Sequence, residues 1–339
     1  MKILVTGGAG FIGSNFVRYM LARHPDYQIV NLDALTYAGN LENLKDLKDN
    51  TRYTFVKGDI ANTGTVTEVM TGGINAIVNF AAESHVDRSI EDPGIFVKTN
   101  VLGTQVLLDA AHKNQVGKFL QVSTDEVYGS LGPKGLFSEK SPLQPNSPYS
   151  ASKTGADLLV RAYHETFGLN VNITRCSNNY GPYQFPEKLI PLIITNALEN
   201  KDIPVYDDGM QIRDWLHVKD HCSAIDLVLH KGSCGEVYNI GGNNERTNLY
   251  IVKTVLAELG KPESLIKHVT DRLGHDRRYA IDATKIRTEL GWAPQYTFET
   301  GIKETIHWYL NNREWWTRVK SGEYQQYYQK MYGNRAVLG

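Results

Sequence analysis

An apolar run that breaks into a glycine-rich turn opens the chain and most restricts its fold. The first residues read MKILVTGGAGFIG, in which Gly8, Gly10 and Gly13 fit G-x-G-x-x-G and Gly7, Gly10 and Gly13 fit the looser G-x-x-G-x-x-G. Glycines at these points let the backbone turn sharply and approach a pyrophosphate, which sits on the N-terminus of the next helix. Because an apolar strand precedes the turn and an amphipathic segment follows it, the motif predicts a dinucleotide site.

Short apolar runs then alternate with helix-like segments along the first half of the chain. The runs are QIVNLD, YTFVKGD, AIVNFAA, KFLQVST and NVNITRCS, and the segments include FIGSNFVRYMLARH and NVLGTQVLLDAAHK. Short runs rich in β-branched and aromatic residues are typical of buried parallel strands. The pattern predicts an α/β fold with a Rossmann-type, doubly wound parallel sheet.

The second half of the chain has more loops and prolines, and its tail is rich in tryptophan and tyrosine. This change in composition predicts two units: a Rossmann domain over residues 1–178, and a smaller C-terminal lobe, mainly for substrate binding, over 179–339. The run EVYNIGG at residues 236–242 predicts one more strand that returns to the first sheet.

Composition excludes several classes of protein. With 41% hydrophobic residues, 22% charged residues and a net charge of −1, the chain is typical of a globular protein and offers no electrostatic reason to bind nucleic acid or an anionic membrane. No stretch approaches the ~20 apolar residues of a membrane span, and the glycines interrupt the one run that resembles a signal peptide. Three cysteines without metal-ligand spacing predict buried thiols in a reducing cytoplasm. The ten histidines show no ligand motif, so no metal site is predicted.

Two aspartates follow the second and third predicted strands. Asp33 lies 20 residues after Gly13, where a carboxylate accepts a hydrogen bond from a ribose 2′-hydroxyl. Because a carboxylate repels a 2′-phosphate, Asp33 favours NAD over NADP. Asp59, at the end of YTFVKGD, is a candidate to accept from the adenine amino group. Ordinary turn or capping roles remain the alternative for both residues.

The segment SPYSASK places Tyr149 and Lys153 four residues apart. Ser147 is a suitable N-cap and Pro148 a suitable first helical residue, so both side chains are expected on one helix face. A lysine there is expected to lower the pKa of the tyrosine and produce a phenolate that removes a proton from a sugar hydroxyl. An exposed surface pair is the alternative.

The strand KFLQVST ends in Thr124 and is followed by Asp125 and Glu126. Two neighbouring carboxylates repel each other, so the pair lowers the stability of the fold unless it serves a function. Within one site, the two groups suit opposite roles, one as an acid and the other as a base. Neighbours on a straight strand point to opposite faces, so both acids reach one ligand only if the chain turns after Thr124. The nearby Gly129 permits such a turn.

These motifs resemble the extended short-chain dehydrogenase/reductase family, and within it the nucleotide-sugar 4,6-dehydratases. The resemblance spans nearly the whole chain and includes STDEVYG, NFAAESHVDRS, RCSNNYGPYQFPEKLIP, QIRDWLHVKDH and DRLGHDRRYAID. It implies bound NAD, a nucleoside-diphosphate hexose as substrate, and a homodimer joined by the helices that contain NVLGTQVLLDAA and YSASKTGADLLVRA. The preference for dTDP over UDP also depends on this resemblance, since thymine and uracil differ by one methyl group.

The resemblance implies a role for each site residue. Tyr149 and Lys153 oxidise C4 together with NAD, Thr124 hydrogen-bonds the C4 oxygen, Glu126 removes the C5 proton and Asp125 protonates the departing C6 hydroxyl. The expected contacts with NAD are Gly7, Gly10, Phe11, Ile12, Gly13, Asp33, Ala34, Leu35, Thr36, Asp59, Ile60, Ala81, Ala82, Thr99, Tyr149, Lys153 and Asn179. The expected contacts with substrate are Ser84, Thr124, Asn178, Lys188, Leu189, Pro204, Tyr206, Arg213, Asn248, Arg272 and His275. Arg213 and Arg272 are the candidates for the diphosphate, because a guanidinium grips phosphate in bidentate fashion.

Two alternatives stay open at this point. One is another nucleotide-sugar 4,6-dehydratase or a UDP-sugar 4-epimerase, although epimerisation gives Asp125 and Glu126 nothing to do. The other is a non-catalytic NAD-binding regulator, which would have no need of Tyr149 and Lys153.

Overall fold

The computed structural model describes residues 1–271, 275–320, 328–329 and 332. The strands within these ranges are β1 (Lys2–Thr6), β2 (Gln28–Asp33), β3 (Tyr53–Lys57), β4 (Ala76–Asn79), β5 (Lys118–Thr124), β6 (Val171–Cys176), β7 (Asn178–Tyr180), β8 (Ile203–Tyr206), β9 (Ile212–His217), β10 (Val237–Ile240), β11 (Glu245–Thr247) and β12 (Ile266–Val269). The helices are α1 (Phe11–Arg23), α2 (Thr63–Met70), α3 (Val86–Glu91), α4 (Pro93–Phe96), α5 (Gly103–Lys113), α6 (Pro148–Phe167), α7 (Leu189–Leu198), α8 (Val218–Lys231), α9 (Asn248–Glu258), α10 (Thr284–Leu290), α11 (Phe298–Asn311) and α12 (Arg313–Val319). A π-helical segment, Val97–Leu102, joins α4 to α5, and 3₁₀ turns occupy Leu41–Leu47, Asp125–Tyr128 and Glu263–Leu265.

Seven strands form the large sheet, in the order β10-β6-β5-β4-β1-β2-β3. Every neighbouring pair in it is parallel. The strand order reverses between β1 and β4, and a ligand crevice forms at such a point beyond the carboxyl ends of the strands. The predicted Rossmann-type parallel sheet is therefore confirmed, and β10 is the returning strand expected near residues 236–242.

Two apolar layers cover the sheet. Helices α1 and α8 pack on one face through residues such as Phe16, Met20 and Val228, while α2, α5 and α6 pack on the other. In β1, Ile3 and Val5 belong to the first layer and Leu4 to the second, as the strand period of two requires. Full burial of such a side chain contributes roughly 1.5–3 kcal/mol, so this alternation fixes the strand register firmly.

A second lobe lies beside the carboxyl end of the sheet. It has a three-stranded sheet in the order β11-β9-β7 and a two-stranded sheet of β12 and β8. Its core gathers aliphatic side chains of α7 and α9 with aromatic side chains of α11 and α12, including Tyr309, Trp315 and Trp316. These three aromatic residues thus build a core rather than a surface.

The second half of the chain contributes to both units. Residues 218–231 form α8 and residues 237–240 form β10, and both belong to the layer around the large sheet. The division at residue 178 stays a prediction about which residues serve the cofactor and which the substrate.

The cysteines depart from one expectation. Cys176 and Cys222 are buried thiols, but Cys234 is exposed. The expectation of three buried thiols is wrong for Cys234, because it lies in the loop between α8 and β10 rather than in either element. In the described part of the chain, no helix combines the length and apolarity that a bilayer crossing needs.

Candidate active site

The glycine turn between β1 and α1 forms a tight cradle. Gly7 has φ +68°, and a Cβ added to it would lie 2.7 Å from the backbone nitrogen of Ala81. A Cβ on Gly13 would lie 2.3 Å from the carbonyl oxygen of Gly7. Helix α1 begins at Phe11 with Gly10 as its N-cap, so the helix N-terminus faces this cradle. Only glycine fits at Gly7 and Gly13, as the close approach of a pyrophosphate requires.

Asp33 ends β2 and holds the adjoining loop in place. Its Oδ2 accepts from the backbone N–H of Ala9 at 2.8 Å, and its Oδ1 accepts from that of Leu35, also at 2.8 Å. Burial raises the pKa of Asp33, and these two backbone hydrogen bonds oppose that shift. Each carboxylate oxygen has a second lone pair, so Asp33 serves as a turn residue and still offers an acceptor to a ribose hydroxyl.

Asp59 follows the same pattern at the end of the next strand. Its Oδ1 accepts from the backbone N–H of Ala61 at 2.8 Å, and its Oδ2 lies 3.4 Å from Nζ of Lys98. Asp59 thus fills the ordinary turn role, and it also lines the cavity described next.

A cavity of about 350 Å³ lies beyond the carboxyl ends of the strands. Its wall includes every expected NAD contact except Leu35, which touches Asp33 instead. All five residues expected to carry the chemistry share this wall: Thr124, Asp125, Glu126, Tyr149 and Lys153. The dinucleotide site and the candidate catalytic residues therefore form one continuous pocket.

The chain turns immediately after Thr124, as two neighbouring carboxylates in one site require. A 3₁₀ turn begins at Asp125, and the Thr124 hydroxyl caps it by accepting from the backbone N–H of Glu126 at 3.2 Å. The turn ends at Gly129, which has φ +86° and would place a Cβ 2.2 Å from the carbonyl oxygen of Gln144. Asp125 and Glu126 consequently both face the cavity.

Asp125 occupies an environment that favours its protonated form. It is 2% exposed, its Oδ1 accepts from the Thr124 hydroxyl at 3.4 Å, and its Oδ2 has no hydrogen-bond partner among the described residues. Burial raises the pKa of Asp125 well above its usual range, and the charges of Glu126 and Asp214 raise it further, while Arg213 opposes them. A buried carboxylic acid of this kind is suited to give a proton.

Helix α6 presents Tyr149 and Lys153 to the same cavity. Ser147 caps the helix in a reciprocal capping box with Ser150, and Pro148 is the first helical residue. Both Tyr149 and Lys153 are less than 10% exposed, so the alternative of an exposed surface pair is wrong. The predicted helix start and the shared face are confirmed.

The expected effect of Lys153 on the pKa of Tyr149 is not found. Burial raises the pKa of the Tyr149 phenol well above its ordinary value, and the charge of Glu126 raises it further, whereas the Thr124 hydroxyl opposes this. Nζ of Lys153 donates to the carbonyl oxygen of Val122 at 2.8 Å, so the ammonium group is engaged by the sheet. Burial also lowers the pKa of Lys153, and Asp157 partly restores it.

A buried polar network lies behind these residues. Asp157 is one turn beyond Lys153 on α6, and its Oδ2 accepts from Nε of Arg175 at 2.9 Å. Nη1 of Arg175 donates to the Tyr128 hydroxyl at 3.1 Å, which in turn donates to Oδ1 of Asn239 at 2.8 Å. The network ties α6, β6, the 3₁₀ turn and β10 together behind the catalytic wall.

The expected substrate contacts divide into two groups. Ser84, Asn178 and Lys188 line the cavity with Thr124, and Nζ of Lys188 donates to the carbonyl oxygen of Ser84 at 3.0 Å. Leu189 begins α7 next to Lys188 and is not part of the cavity wall.

The other group lies in the second lobe, outside the cavity wall. Its described members are Pro204, Tyr206, Arg213, Asn248 and His275. The Arg213 guanidinium is 4.4 Å from the ring centre of Tyr279 and donates to the carbonyl oxygens of Ile212 and Asp276, both at 2.8 Å.

His275 is tied into the same lobe. Nδ1 of His275 lies 2.6 Å from Oδ1 of Asp271, and its ring centre is 5.9 Å from that of Tyr206. Arg272, the remaining candidate for the diphosphate, lies outside the described residues.

The cavity wall also contains residues that the sequence did not single out. They include Tyr37, Glu83, Ile95, Ser123, Cys176, Gln184, Phe185 and Glu187. Glu83 lies beside Ser84 in the segment NFAAESHVDRS, and Gln184 to Glu187 lie within RCSNNYGPYQFPEKLIP. Their position inside these motifs was the signal in the sequence that could have identified them. Tyr37 directly follows the expected NAD contacts Ala34, Leu35 and Thr36, and the Arg88 guanidinium lies 4.0 Å from the centre of its ring.

Comparison with known proteins agrees with this geometry. Residues 4–305 match the family model described as GDP-mannose 4,6 dehydratase. A dTDP-glucose 4,6-dehydratase from Xanthomonas campestris pv. campestris (strain B100) is 56% identical over 341 residues, which cover 95% of this chain and 97% of that protein.

Two solved structures are similar over the same length. The dTDP-glucose 4,6-dehydratase from Bacillus anthracis str. Ames, crystallised with NAD, is 58% identical with a TM-score of 0.89 and covers 94% of this chain and 100% of its own. DesIV, a dTDP-glucose 4,6-dehydratase from Streptomyces venezuelae solved with NAD and dTDP, is 53% identical with a TM-score of 0.92 at the same coverage. The chain therefore belongs to the dTDP-glucose 4,6-dehydratase family, within the larger group that the GDP-mannose 4,6 dehydratase model describes.

Proposed function

We propose that this protein is a dTDP-glucose 4,6-dehydratase that converts its substrate to dTDP-4-keto-6-deoxyglucose. One observation carries the proposal. Asp125, a buried carboxyl group with no ionic partner among the described residues, shares a cavity wall with a second carboxylate, Glu126, and with Tyr149. Oxidation at C4 alone needs the tyrosine, whereas loss of water also needs a base and an acid. Membership of the family supports the same conclusion.

The residues present fit NAD. The cradle at Gly7 and Gly13 would be filled by any Cβ, and Asp33 offers an acceptor where a 2′-phosphate would be repelled. When bound, NAD would supply the hydride acceptor for C4 and the hydride donor for C6 of the sugar, and it would end the reaction in its original oxidation state. The chain's own contribution is to hold the sugar and to move protons at defined atoms.

Tyr149 and Thr124 act at C4. Tyr149 must act as the phenolate, whose oxygen takes the proton of the C4 hydroxyl, and the Thr124 hydroxyl hydrogen-bonds the same sugar oxygen. Lys153 lies one turn further along α6. Its ammonium group donates to the carbonyl oxygen of Val122, and we propose that it turns toward the Tyr149 oxygen and stabilises the phenolate when NAD and the sugar are bound. Burial excludes water from this step, which strengthens each of these interactions.

Glu126 and Asp125 act at C5 and C6. A ketone at C4 acidifies the C5 proton, which the Glu126 carboxylate removes. Asp125, whose pKa is raised by burial, gives its proton to the departing C6 hydroxyl so that water leaves. When the hydride returns to C6, a proton goes back to C5 and completes the 4-keto-6-deoxy product. Proton transfer by each group contributes about 10²–10⁴ in rate.

The nucleoside diphosphate is expected to extend from Ser84, Asn178 and Lys188 toward the second lobe. Arg213 and Arg272 are the proposed diphosphate contacts, and Pro204, Tyr206, Asn248 and His275 are proposed to surround the nucleoside. Thymidine is the preferred nucleoside because the relatives at 50–56% identity are dTDP-glucose enzymes.

We also propose a homodimer formed through α5, α6 and the π-helical segment. Leu102 and Leu158 are 46% and 51% exposed on this surface, and Val101 packs against Gly155 between the two elements. Large exposed apolar side chains on neighbouring helices are typical of a surface that a second copy covers. Sedimentation at micromolar concentration should give a dimer, and Leu158→Glu should give a monomer; a monomeric parent protein would contradict the proposal.

The decisive experiment is incubation with dTDP-glucose and, separately, UDP-glucose, followed by mass measurement and an assay for the 4-keto group. We expect dTDP-glucose to lose one water. A product of unchanged mass with C4 inverted would indicate an epimerase, and bound cofactor without turnover would indicate a regulator.

An isotope identifies the route of the hydride. With deuterium at C4 of the substrate, the label should appear on the new methyl group, because the hydrogen taken from C4 returns to C6. The matched control is Tyr149→Phe, which should form no reduced cofactor on mixing with substrate. Loss of the label to solvent in the parent protein would overturn the mechanism.

A further inference from the structure

A cluster of two histidines and one aspartate lies on the side of the Rossmann domain opposite the carboxyl ends of the strands. His24 caps the end of α1, and Asp226 and His230 stand one turn apart on α8. The sequence predicts no metal site, because its histidines lack ligand spacing. The fold nevertheless joins His24 to Asp226, which are separated by 202 residues in sequence.

The three side chains converge on one point. Nε2 of His24 lies 2.9 Å from Oδ1 of Asp226, and Nδ1 of His230 lies 3.0 Å from the same oxygen and 2.8 Å from the backbone carbonyl oxygen of Asp226. All three potential ligand atoms lie within 4.8 Å of one another. Tetrahedral bonds of about 2.0–2.1 Å would place ligand atoms about 3.3–3.4 Å apart, so an ion fits if the two histidine–aspartate distances each lengthen by about half an ångström. The bond to the ion would then replace the contact of His230 Nδ1 with the carbonyl oxygen of Asp226.

A further residue orients one of the imidazoles. The Tyr27 hydroxyl lies 2.8 Å from Nε2 of His230, the ring nitrogen that faces away from Asp226. The ring of Tyr27 also stacks on that of His24, with centres 4.4 Å apart. Metal-bound histidines usually have their second nitrogen fixed by such a hydrogen bond, which sets the tautomer and the ring orientation.

The cluster is both accessible and anchored. The side chains of His24, Asp226 and His230 are 22%, 12% and 30% exposed, so an ion can enter and water can complete its coordination. Helices α1 and α8 pack on the same face of the large sheet, which limits how far the ligands can separate. Two imidazoles and one carboxylate suit zinc and its transition-metal neighbours rather than Ca²⁺ or Mg²⁺, which prefer oxygen ligands.

We propose that His24, Asp226 and His230 bind one zinc-class divalent ion that joins the end of α1 to α8. The site is structural and separate from the catalytic wall. Helix α1 has 13 residues, which corresponds to about 20 Å between His24 and the glycine cradle at its other end. An ion at this site links α1 to α8, two helices that are distant in the sequence and touch only in the folded structure.

The test is metal titration of the untagged full-length protein, followed by calorimetry with Zn²⁺ and by the absorption spectrum of bound Co²⁺. We expect one tight equivalent of Zn²⁺ per chain and a Co²⁺ spectrum typical of four ligands. His24→Gln, Asp226→Asn and His230→Gln should each weaken Zn²⁺ binding by more than about 10-fold, since even loss of an orienting neighbour costs about 10–100-fold. Tyr27→Phe should weaken it less than any of the three.

Two matched controls separate this site from other side chains that bind metals. His307→Gln removes an exposed histidine on α11, and Cys234→Ser removes an exposed thiol whose sulfur lies 3.7 Å from Nδ1 of His164. Both should bind Zn²⁺ as the parent does. Each variant's fold is checked by its thermal midpoint without metal, and Zn²⁺ should raise that midpoint in the parent and controls only.

Three results would overturn the proposal. They are no stoichiometric Zn²⁺ binding by the parent, ligand variants that titrate as the parent does, and a loss of binding caused by Cys234→Ser instead. Because dehydratase turnover is measured independently, its absence would not affect this outcome, and failure of the zinc site would leave the proposed reaction untouched.

Discussion

Asp125 at the mouth of β5 and Asp157 behind it on α6 are both buried carboxylates, and their surroundings are opposite. Asp125 is 2% exposed and Asp157 1% exposed. Asp157 has a guanidinium nitrogen of Arg175 at 2.9 Å, whereas Asp125 forms no ion pair among the residues the structure describes and faces Glu126 instead. A buried carboxyl group without an ionic partner is kept protonated and is a candidate for proton transfer, whereas a buried carboxylate paired with arginine belongs to the supporting scaffold.

The largest expected effect follows from removing the proton donors and acceptors at the mouth of β5. We expect Glu126→Gln and Asp125→Asn each to lower the rate of water loss by about 10²–10⁴, because a positioned acid or base contributes that much. Glu126→Gln should still reduce bound NAD at C4, measured by absorbance on mixing with dTDP-glucose. Turnover of Glu126→Gln at the parent rate would remove its role as the base.

The next effect concerns the paired carboxylate. Arg175→Met should lower the free energy of unfolding by about 3–5 kcal/mol, because Asp157 is then left charged in the interior. Urea unfolding measures this. The double variant Asp157→Leu/Arg175→Met is the matched control and should regain most of the loss. If the single and double variants are equally unstable, the pair matters for packing rather than for charge.

A smaller effect is expected at the edge of the same network. Tyr128→Phe keeps the ring but removes the hydroxyl that accepts from Arg175 and donates to Oδ1 of Asn239 at 2.8 Å. The cost should be about 1–3 kcal/mol, the usual value for a buried polar atom that loses its partner. Tyr53→Phe is a control, since its half-buried hydroxyl accepts from Asn31 at 2.9 Å and forms no other hydrogen bond among the described residues. An equal loss in both variants would show that the buried network has no special weight.

The last prediction concerns pH dependence rather than a change at one pH. Burial raises the pKa of Asp125 in the folded protein, so the folded state holds this proton more tightly than the unfolded state does. Its contribution to stability is therefore complete in acid and is lost as pH rises from about 3.9, the ordinary value, through the raised pKa, at about 1.4 kcal/mol for each unit of difference. Asp125→Asn should lack this loss and become more stable than the parent at neutral pH. Equal pH profiles in urea unfolding would contradict the assignment of Asp125 as the buried acid.

The sequence predicted the parts of this arrangement that are local. Gly7, Gly13 and Asp33 lie within one strand-turn-helix unit and the strand after it, so their positions follow from short-range geometry. The same holds for Tyr149 and Lys153, which share a helix face. The sequence showed that both carboxylates reach one site only if the chain turns after Thr124, but it did not show that the turn is present. Whether a strand end bends depends on what packs around it.

The remaining features depend on contacts between distant elements. Arg175 meets Asp157 only because β6 and α6 adopt a particular register, and Lys153 donates to Val122 for the same reason. The lowered pKa expected for Tyr149 failed because spacing alone does not reveal burial or a neighbouring carboxylate. Arg213, predicted from its charge, stands in the second lobe outside the cavity wall, a placement that no local pattern encodes.

The position of β10 late in the sequence affects how the protein folds during synthesis. Because β10 completes the edge beside β6, the first half of the chain leaves that edge open as it emerges from the ribosome, and the layer supplied by α8 is also missing. An open strand edge beside bare apolar surface invites pairing with other chains. Residues 1–178 should consequently aggregate when synthesised by themselves, and the two lobes must mature together rather than one after the other.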